Sequence, residues 1–365
     1  MNYEYRVTEC QYRLRQAVAD ALVLFPSVDM QYLSGFVDEP MERHLFLFIG
    51  EEDEPVFVAP ELYATEIREA SWVGDIRTYA DGDDPLKIVE ESVVDLGIES
   101  GRLLVDDRMW ARFTQDLREI LPKADFGLAS DVLGPLRVCK DDAELDALRR
   151  AGEVADAAMQ DVRDLGAEAI GMTEAELAQF IEERLAMHGG SGTSFEPIVG
   201  SGPNGAKPHH RHGNREIEPG DPVVFDFGTR VDGYPSDQTR TVVFGREPSD
   251  KFKRVHETVH AAQQTAVEAV KPGIPAETVD VAAREVIVDA GFGEAFIHRT
   301  GHGIGLEVHE GPYIVDGNDT LLEPGMVFSV EPGIYLAGEF GVRIEDIVVV
   351  TENGCERLND TNRGW

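Results

Sequence analysis

The chain has 365 residues, 42% of them hydrophobic, which is more than one usual domain and predicts two, each long enough to bury its own core. Acidic residues number 69 against 33 basic ones, a formal charge of −36, and such a field repels nucleic acid and anionic membranes. Only seven of the basic residues are lysine and the acids are spread along the chain with no acidic tail, so a salt-adapted source is expected, in which screening relieves the self-repulsion. No stretch approaches the roughly 20 apolar residues that span a bilayer. Met1 to Asp20 carries charges throughout, without the apolar core of a signal peptide, and a cytoplasmic protein is expected. Cys10, Cys139 and Cys355 are scattered with no metal-ligand or redox spacing and read as free thiols.

In chain order, the first third alternates apolar runs (ADALVLF, HLFLFIG, PVFVAP, GRLLVD) with helical stretches such as DPLKIVEESVVDLG, the pattern of a small α/β domain. It holds no cluster of histidine and carboxylate. A break near LASDVLGPLRVCK puts the boundary at about Gly134, giving domains 1–134 and 135–365. Next, Leu145, Leu148, Ala155, Met159 and Val162 mark one helical stripe. The second domain then uses one plan twice. Helices are predicted over Asp142 to Leu165 and Glu174 to His188, the latter opened by a Thr173-x-x-Glu176 capping box and closed by Gly189. A long hairpin, VVFDFGTRVDGYPSDQTRTVVF, follows. Helices Asp250 to Val270 and Ala276 to Ala290, then the hairpin MVFSVEPGIYLAGEFGVRIEDIVVV, repeat the plan. Two such halves are expected to pack as α/β layers on one shared sheet.

In the first hairpin Asp226 and Asp237 are equidistant from the turn Val231-Asp232-Gly233, and in the second Glu331 and Glu345 are equidistant from Gly338. Each pair is therefore expected to face its partner across the ladder. Carboxylates so placed on apolar strands cannot all stay ionised without cations, because like charge and desolvation both raise their pKa. Four of them neutralise two divalent ions, and oxygen-rich ligation with one imidazole suits Mn, Co, Zn or Fe. Such ions, about 3.5–4 Å apart, hold a bridging hydroxide and polarise a carbonyl, as amide hydrolysis requires. Six of the ten histidines lie in two glycine-rich stretches, GPNGAKPHHRHG (His209, His210, His212) and HRTGHGIGLEVHE (His298, His302, His309).

At DFG with SDQTRT, GHGIGLEVHE, VEPGIY, GVRIED and the preceding PHH, the second domain closely resembles the pita-bread metallopeptidases, the family of prolidases, Xaa-Pro aminopeptidases and methionine aminopeptidases. The first domain, through MQYLSGF, is similar to the creatinase-type N-terminal domain of the proline-specific branch. The resemblance implies an α/β (α+β) fold and hydrolysis of the bond preceding proline, as a dipeptidase or an aminopeptidase. It implies that Asp226, Asp237, His302, Glu331 and Glu345 hold two metals, Mn foremost, with Asp237 and Glu345 bridging and Glu331 also the general base. His209 and His309 would be the substrate-side histidines, His298 and Arg343 would line the proline side of the cleft, with Tyr335 a further substrate-binding position near the metals, and Arg343 would alternatively balance the acids. His210 and His212 are left without a role, as solvated loop residues. A homodimer is implied, with a proline-containing peptide as substrate. A metal-retaining relative acting on a small molecule, such as an ectoine-type hydrolase or a sulfonium lyase, is the alternative.

Overall fold

The computed structural model describes residues Met1–Trp365 and divides into two compact units, Met1–Arg137 and Val138–Trp365. The first contains strands β1 (Ala21–Leu24), β2 (Phe46–Gly50), β3 (Val56–Pro60), β4 (Asp75–Tyr79), β5 (Arg102–Val105) and β6 (Asp125–Leu128). Its helices are α1 (Tyr3–Gln16), α2 (Val28–Ser34), α3 (Ala64–Ala70), α4 (Pro85–Asp95), α5 (Ala111–Ile120) and α6 (Ser130–Arg137). The strands form one mixed sheet in the order β4-β3-β2-β1-β5-β6. Parallel neighbours need a crossover, and α3 and α5 supply it for β3/β4 and β5/β6. Strands β1 to β3 are buried at every residue, which is why they read as unbroken apolar runs instead of alternating. The edges β4 and β6 carry Asp75, Arg77 and Asp125 toward solvent, as exposed sheet edges require.

The second unit has helices α7 (Asp142–Asp164), α8 (Glu174–Met187), α9 (Asp250–Ala269) and α10 (Glu277–Asp289), each within a residue or so of the predicted span. The Thr173/Glu176 capping box is formed, and α7 opens on a second one, Asp141/Glu144. Strands are β7 (Ile198–Ser201), β8 (Pro222–Phe227), β9 (Arg230–Val231), β10 (Tyr234–Pro235), β11 (Gln238–Val243), β12 (Gly301–Gly303), β13 (Glu310–Ile314), β14 (Val327–Val330), β15 (Gly333–Leu336), β16 (Phe340–Arg343), β17 (Asp346–Thr351) and β18 (Gly354–Arg357). The expected single sheet is instead two, β11-β8-β7 and β13-β12-β14-β17-β18, with ribbons β9/β10 and β15/β16 at the hairpin tips. Each half packs its own helix pair on its own sheet. Met159, Val162, Leu177 and Ile181 cover Phe225 and Phe227, while Val255, Val259, Val279 and Ala283 cover Phe328 and Val348. No helix is long and apolar enough to cross a membrane.

The two sheets meet where β11 runs beside residues 343–345. Here one backbone bond and threonine side chains stand in for a ladder: Glu345 N–H donates to the Thr239 carbonyl at 3.1 Å, and Thr241 Oγ1 donates to Arg343 O at 3.0 Å. Behind the seam lies an ion cluster centred on the fully buried Asp346 and Arg240. Asp346 accepts from Arg240 (2.7 Å), Arg363 (2.6 Å) and Gln263 (2.9 Å). Burial alone raises a carboxyl pKa, but Arg240 and Arg363 hold that of Asp346 below its ordinary value. Removing one partner of such a pair strands the other. Asp346→Ala is therefore expected to cost about 3–5 kcal/mol of stability, measured by urea unfolding, with Asp346→Asn recovering part of it.

Candidate metal centre

Asp226 comes from β8 and His302 from β12, while Asp237 immediately precedes β11, Glu331 immediately follows β14 and Glu345 immediately precedes β17. In the second hairpin, pairs Val330↔Asp346 and Gly333↔Arg343 continue one register centred on Gly338, which sets Glu331 against Glu345 as their spacing predicts. The first hairpin differs. Asp226 pairs with Thr239, and Asp237 lies two residues further along the same face. The cause is the turn: Asp232 and Gly233 both take positive φ (50° and 86°), the geometry of a type I′ two-residue turn. This shifts the hairpin's centre toward Gly233. A slip of two residues preserves the face, so both aspartates still converge.

His302 is held by its flanking glycines. A Cβ at Gly301 would lie 1.8 Å from Ser329 O and one at Gly303 2.0 Å from Gly311 O, so only glycine lets β12 fit between β13 and β14. A bulge between His302 and Gly303 then turns the imidazole into the cavity. Its Nε2 lies 3.3 Å from Glu331 Oε1 and 3.7 Å from Asp237 Oδ2. Donor atoms of Asp237, His302 and Glu345 all fall within 4.8 Å of one another. All five residues line one cavity of about 650 Å³, together with Phe195, Ile198, Pro208, His209, His298, Arg299, His309 and Arg343.

The electrostatics of this cluster ask for cations. Burial, reinforced by the neighbouring carboxylates, pushes Asp237 and Glu345 well above the usual carboxylate range. Burial likewise raises Glu331 to about 7, against the pull of Arg343. Asp226 Oδ1, Asp237 Oδ1 and Glu345 Oε1 are buried with no hydrogen-bond partner, which a native interior rarely tolerates. Burial and the charge of His309 lower His302 to about 3, leaving a neutral imidazole ready to ligate. Orphaned carboxylate oxygens around a neutral imidazole fit divalent ions.

Around this core, Arg343 Nη2 bonds Asp226 Oδ2 and Nη1 donates to Tyr335 Oη at 2.8 Å, while His298 Nε2 meets the same hydroxyl at 2.9 Å. Tyr335 thus bonds both His298 and Arg343, which line the cavity, and is not itself among the lining residues. Burial and the Arg343 charge lower His298 to about 4. The ring of His309 packs edge-on to His302, 4.1 Å between centroids. His210 and His212 are not solvated loop residues: His210 Nε2 lies 2.8 Å from buried Glu174, and His212 Nδ1 2.9 Å from Pro197 O.

Thr239, Ser329 and Arg299 escaped the sequence reading. Thr239 Oγ1 donates to Glu345 at 2.6 Å and Ser329 Oγ to Glu331 at 3.0 Å. Each lies two residues from a carboxylate singled out above, Asp237 and Glu331, and strand alternation would have found them on the same face. Arg299 adjoins His298 in HRTGHG and brings a second guanidinium to the cavity.

Fold and site together define a divalent-metal hydrolase of the pita-bread type. Residues 146–352 match the model of metallopeptidase family M24, and residues 6–139 match the Creatinase/Prolidase N-terminal domain. The chain is 40% identical to an Xaa-Pro dipeptidase of Lactobacillus delbrueckii subsp. lactis, over 96% of this chain and 95% of that one. Its structure is similar to a prolidase from Thermococcus sibiricus (TM-score 0.95, 41% identity, covering 100% and 99% of the two chains). It is also similar to the dipeptidase PepE from Mycobacterium ulcerans (TM-score 0.92, 42% identity, 100% and 97%). The chain belongs to metallopeptidase family M24, on the prolidase branch that carries the creatinase-type N-terminal domain.

Proposed function

We propose that the protein cleaves Xaa-Pro dipeptides, using two divalent ions, Mn foremost, held by Asp226, Asp237, His302, Glu331 and Glu345. The convergence of these five side chains in one cavity, with three buried oxygens left without partners, carries the reading, and the names of the relatives point to the substrate. Two ions at such a site supply activated water and a Lewis acid for the scissile carbonyl. Glu331 takes the proton of the attacking water and returns it to the departing proline nitrogen. Neutral His309, with His209 across the cavity, donates hydrogen bonds to the oxygen on which negative charge develops. His298 and Arg343 face the proline, with Tyr335 holding both in place. Ser329 and Thr239 fix the carboxylates they touch, as outer hydrogen bonds do at metal sites.

The test is hydrolysis of an Xaa-Pro dipeptide, an Xaa-Pro-containing tripeptide and a non-proline dipeptide by Mn-loaded protein in high salt, beside a chelated control. Chelator-sensitive cleavage restricted to the proline substrates, faster for the dipeptide, is expected. Faster tripeptide cleavage would reassign the chain to the aminopeptidases. No cleavage with two metals bound per chain would turn the search to small-molecule substrates. We further propose a homodimer, for which light scattering in high salt should give twice the 40.2 kDa chain mass.

A further inference from the structure

Glu174 is the first residue of α8, between the two members of its capping box, where an acidic side chain usually faces water and favours the helix dipole. Here it is completely buried. Its Oε1 accepts from Ser201 N–H (2.8 Å), Ser201 Oγ (2.7 Å) and Asn204 Nδ2 (3.0 Å), and its Oε2 from His210 Nε2 (2.8 Å) and Gly213 N–H (3.2 Å). Burial alone would raise this carboxyl, but the Ser201 amide and His210 keep its pKa below the ordinary value.

These donors are arranged around one segment. Ser201 ends β7, Gly213 lies at the far end, and between them Lys207 to His210 forms a turn closed by His210 N–H donating to Lys207 O at 3.1 Å. Pro208 and His209 occupy its two central positions, and both line the cavity. Pro208 presets the backbone of such a turn. Lys207 Nζ bonds Asn204 Oδ1 at 3.0 Å, and Asn204 bonds Glu174. Both arms of the turn that presents His209 are thus tied to one buried carboxylate, which touches neither the cavity nor any of the five metal-site residues.

We propose that Glu174, through His210 and Asn204, is a positioning residue for His209: it holds the Lys207–His210 turn so that the His209 imidazole meets the substrate. The proposal rests on the reading of His209 as a substrate-side residue. Displacement of a positioned group by about 1 Å can cost on the order of 100-fold in rate. A brace of this kind acts on turnover and leaves the metals in place.

The test is a double-mutant cycle on the full, Mn-loaded chain with the Xaa-Pro dipeptide, since coupled residues depart from additivity. Glu174→Gln is expected to lower kcat/KM by about 10–100-fold with two metals still bound per chain. His209→Ala is expected to lose at least as much, and the double variant is expected to match His209→Ala alone. His210→Gln, which keeps a donor at the position of Nε2, should retain most of the rate, whereas His210→Leu should fall with Glu174→Gln. Losses that add in the double variant, or loss of metal in Glu174→Gln, would overturn the proposal and leave a structural role. A rate unaffected by His209→Ala would overturn the substrate-side reading, and the proposal with it. Should Glu174→Gln fail to fold, the two His210 variants, alone and with His209→Ala, carry the same comparison.

Discussion

Glu331→Gln is expected to lower kcat by about 10²–10⁴-fold, the range for loss of a positioned general base, while the protein stays folded. The amide keeps the shape and the Ser329 hydrogen bond but cannot take a proton from water. Glu331→Ala is expected to abolish turnover and also to lower metal content below two ions per chain, because it removes a donor 3.3 Å from His302 Nε2. Steady-state kinetics with metal analysis on both variants separate the two roles. Near-normal kcat in Glu331→Gln with full metal content would remove Glu331 from proton transfer.

The second large effect concerns metal removal. The Glu331 carboxyl titrates near 4.5 when solvated and at about 7 in the folded, metal-free chain, chiefly because it is buried. The folded state therefore keeps a proton that the unfolded chain releases between those values. The stability this contributes is complete below pH 4.5 and is lost as pH rises through 7. Asp237 and Glu345, also pushed upward by burial, act in the same direction. Chelated protein is expected to melt at lower temperature at pH 8 than at pH 6, by on the order of 5–10 °C. Divalent metal is expected to reverse that slope, since the ionised carboxylates are the ligands. Melts at constant high salt, with Glu331→Gln as the non-titrating control, measure it. A slope unchanged by metal or by that substitution would show that the carboxylates are not the source.

The chemistry was legible in the sequence wherever local geometry set it. Glu331 and Glu345 could be paired from the chain because the tip around Gly338 is symmetric and both ladders keep one register. The helices of the second unit could be bounded because caps and periodicity are local signals. Asp226 and Asp237 were placed two residues out of register, since the Asp232-Gly233 turn imposes its own centre. The seam between two sheets was not legible at all: it depends on Thr239 and Thr241 reaching strands a hundred residues away. Glu174 was hidden for the opposite reason. Its position has an ordinary local explanation, a first-turn helix acid, and only the approach of residues 201–213 makes it a buried anchor.

Exposed hairpin tips are usually where a family tolerates insertions. Ala337, Gly338 and Glu339 are all solvent-facing, and their identities are constrained only by the positive φ (78°) of Gly338 and an exposed ion pair between Glu339 and Lys251. Their number is another matter. An extra residue has to be taken up within the tip, because carrying it into the ladders would set Glu331 against a neighbour of Glu345 whose side chain points to the opposite face. The length of this surface loop is thus tied to the metal site more closely than its letters are.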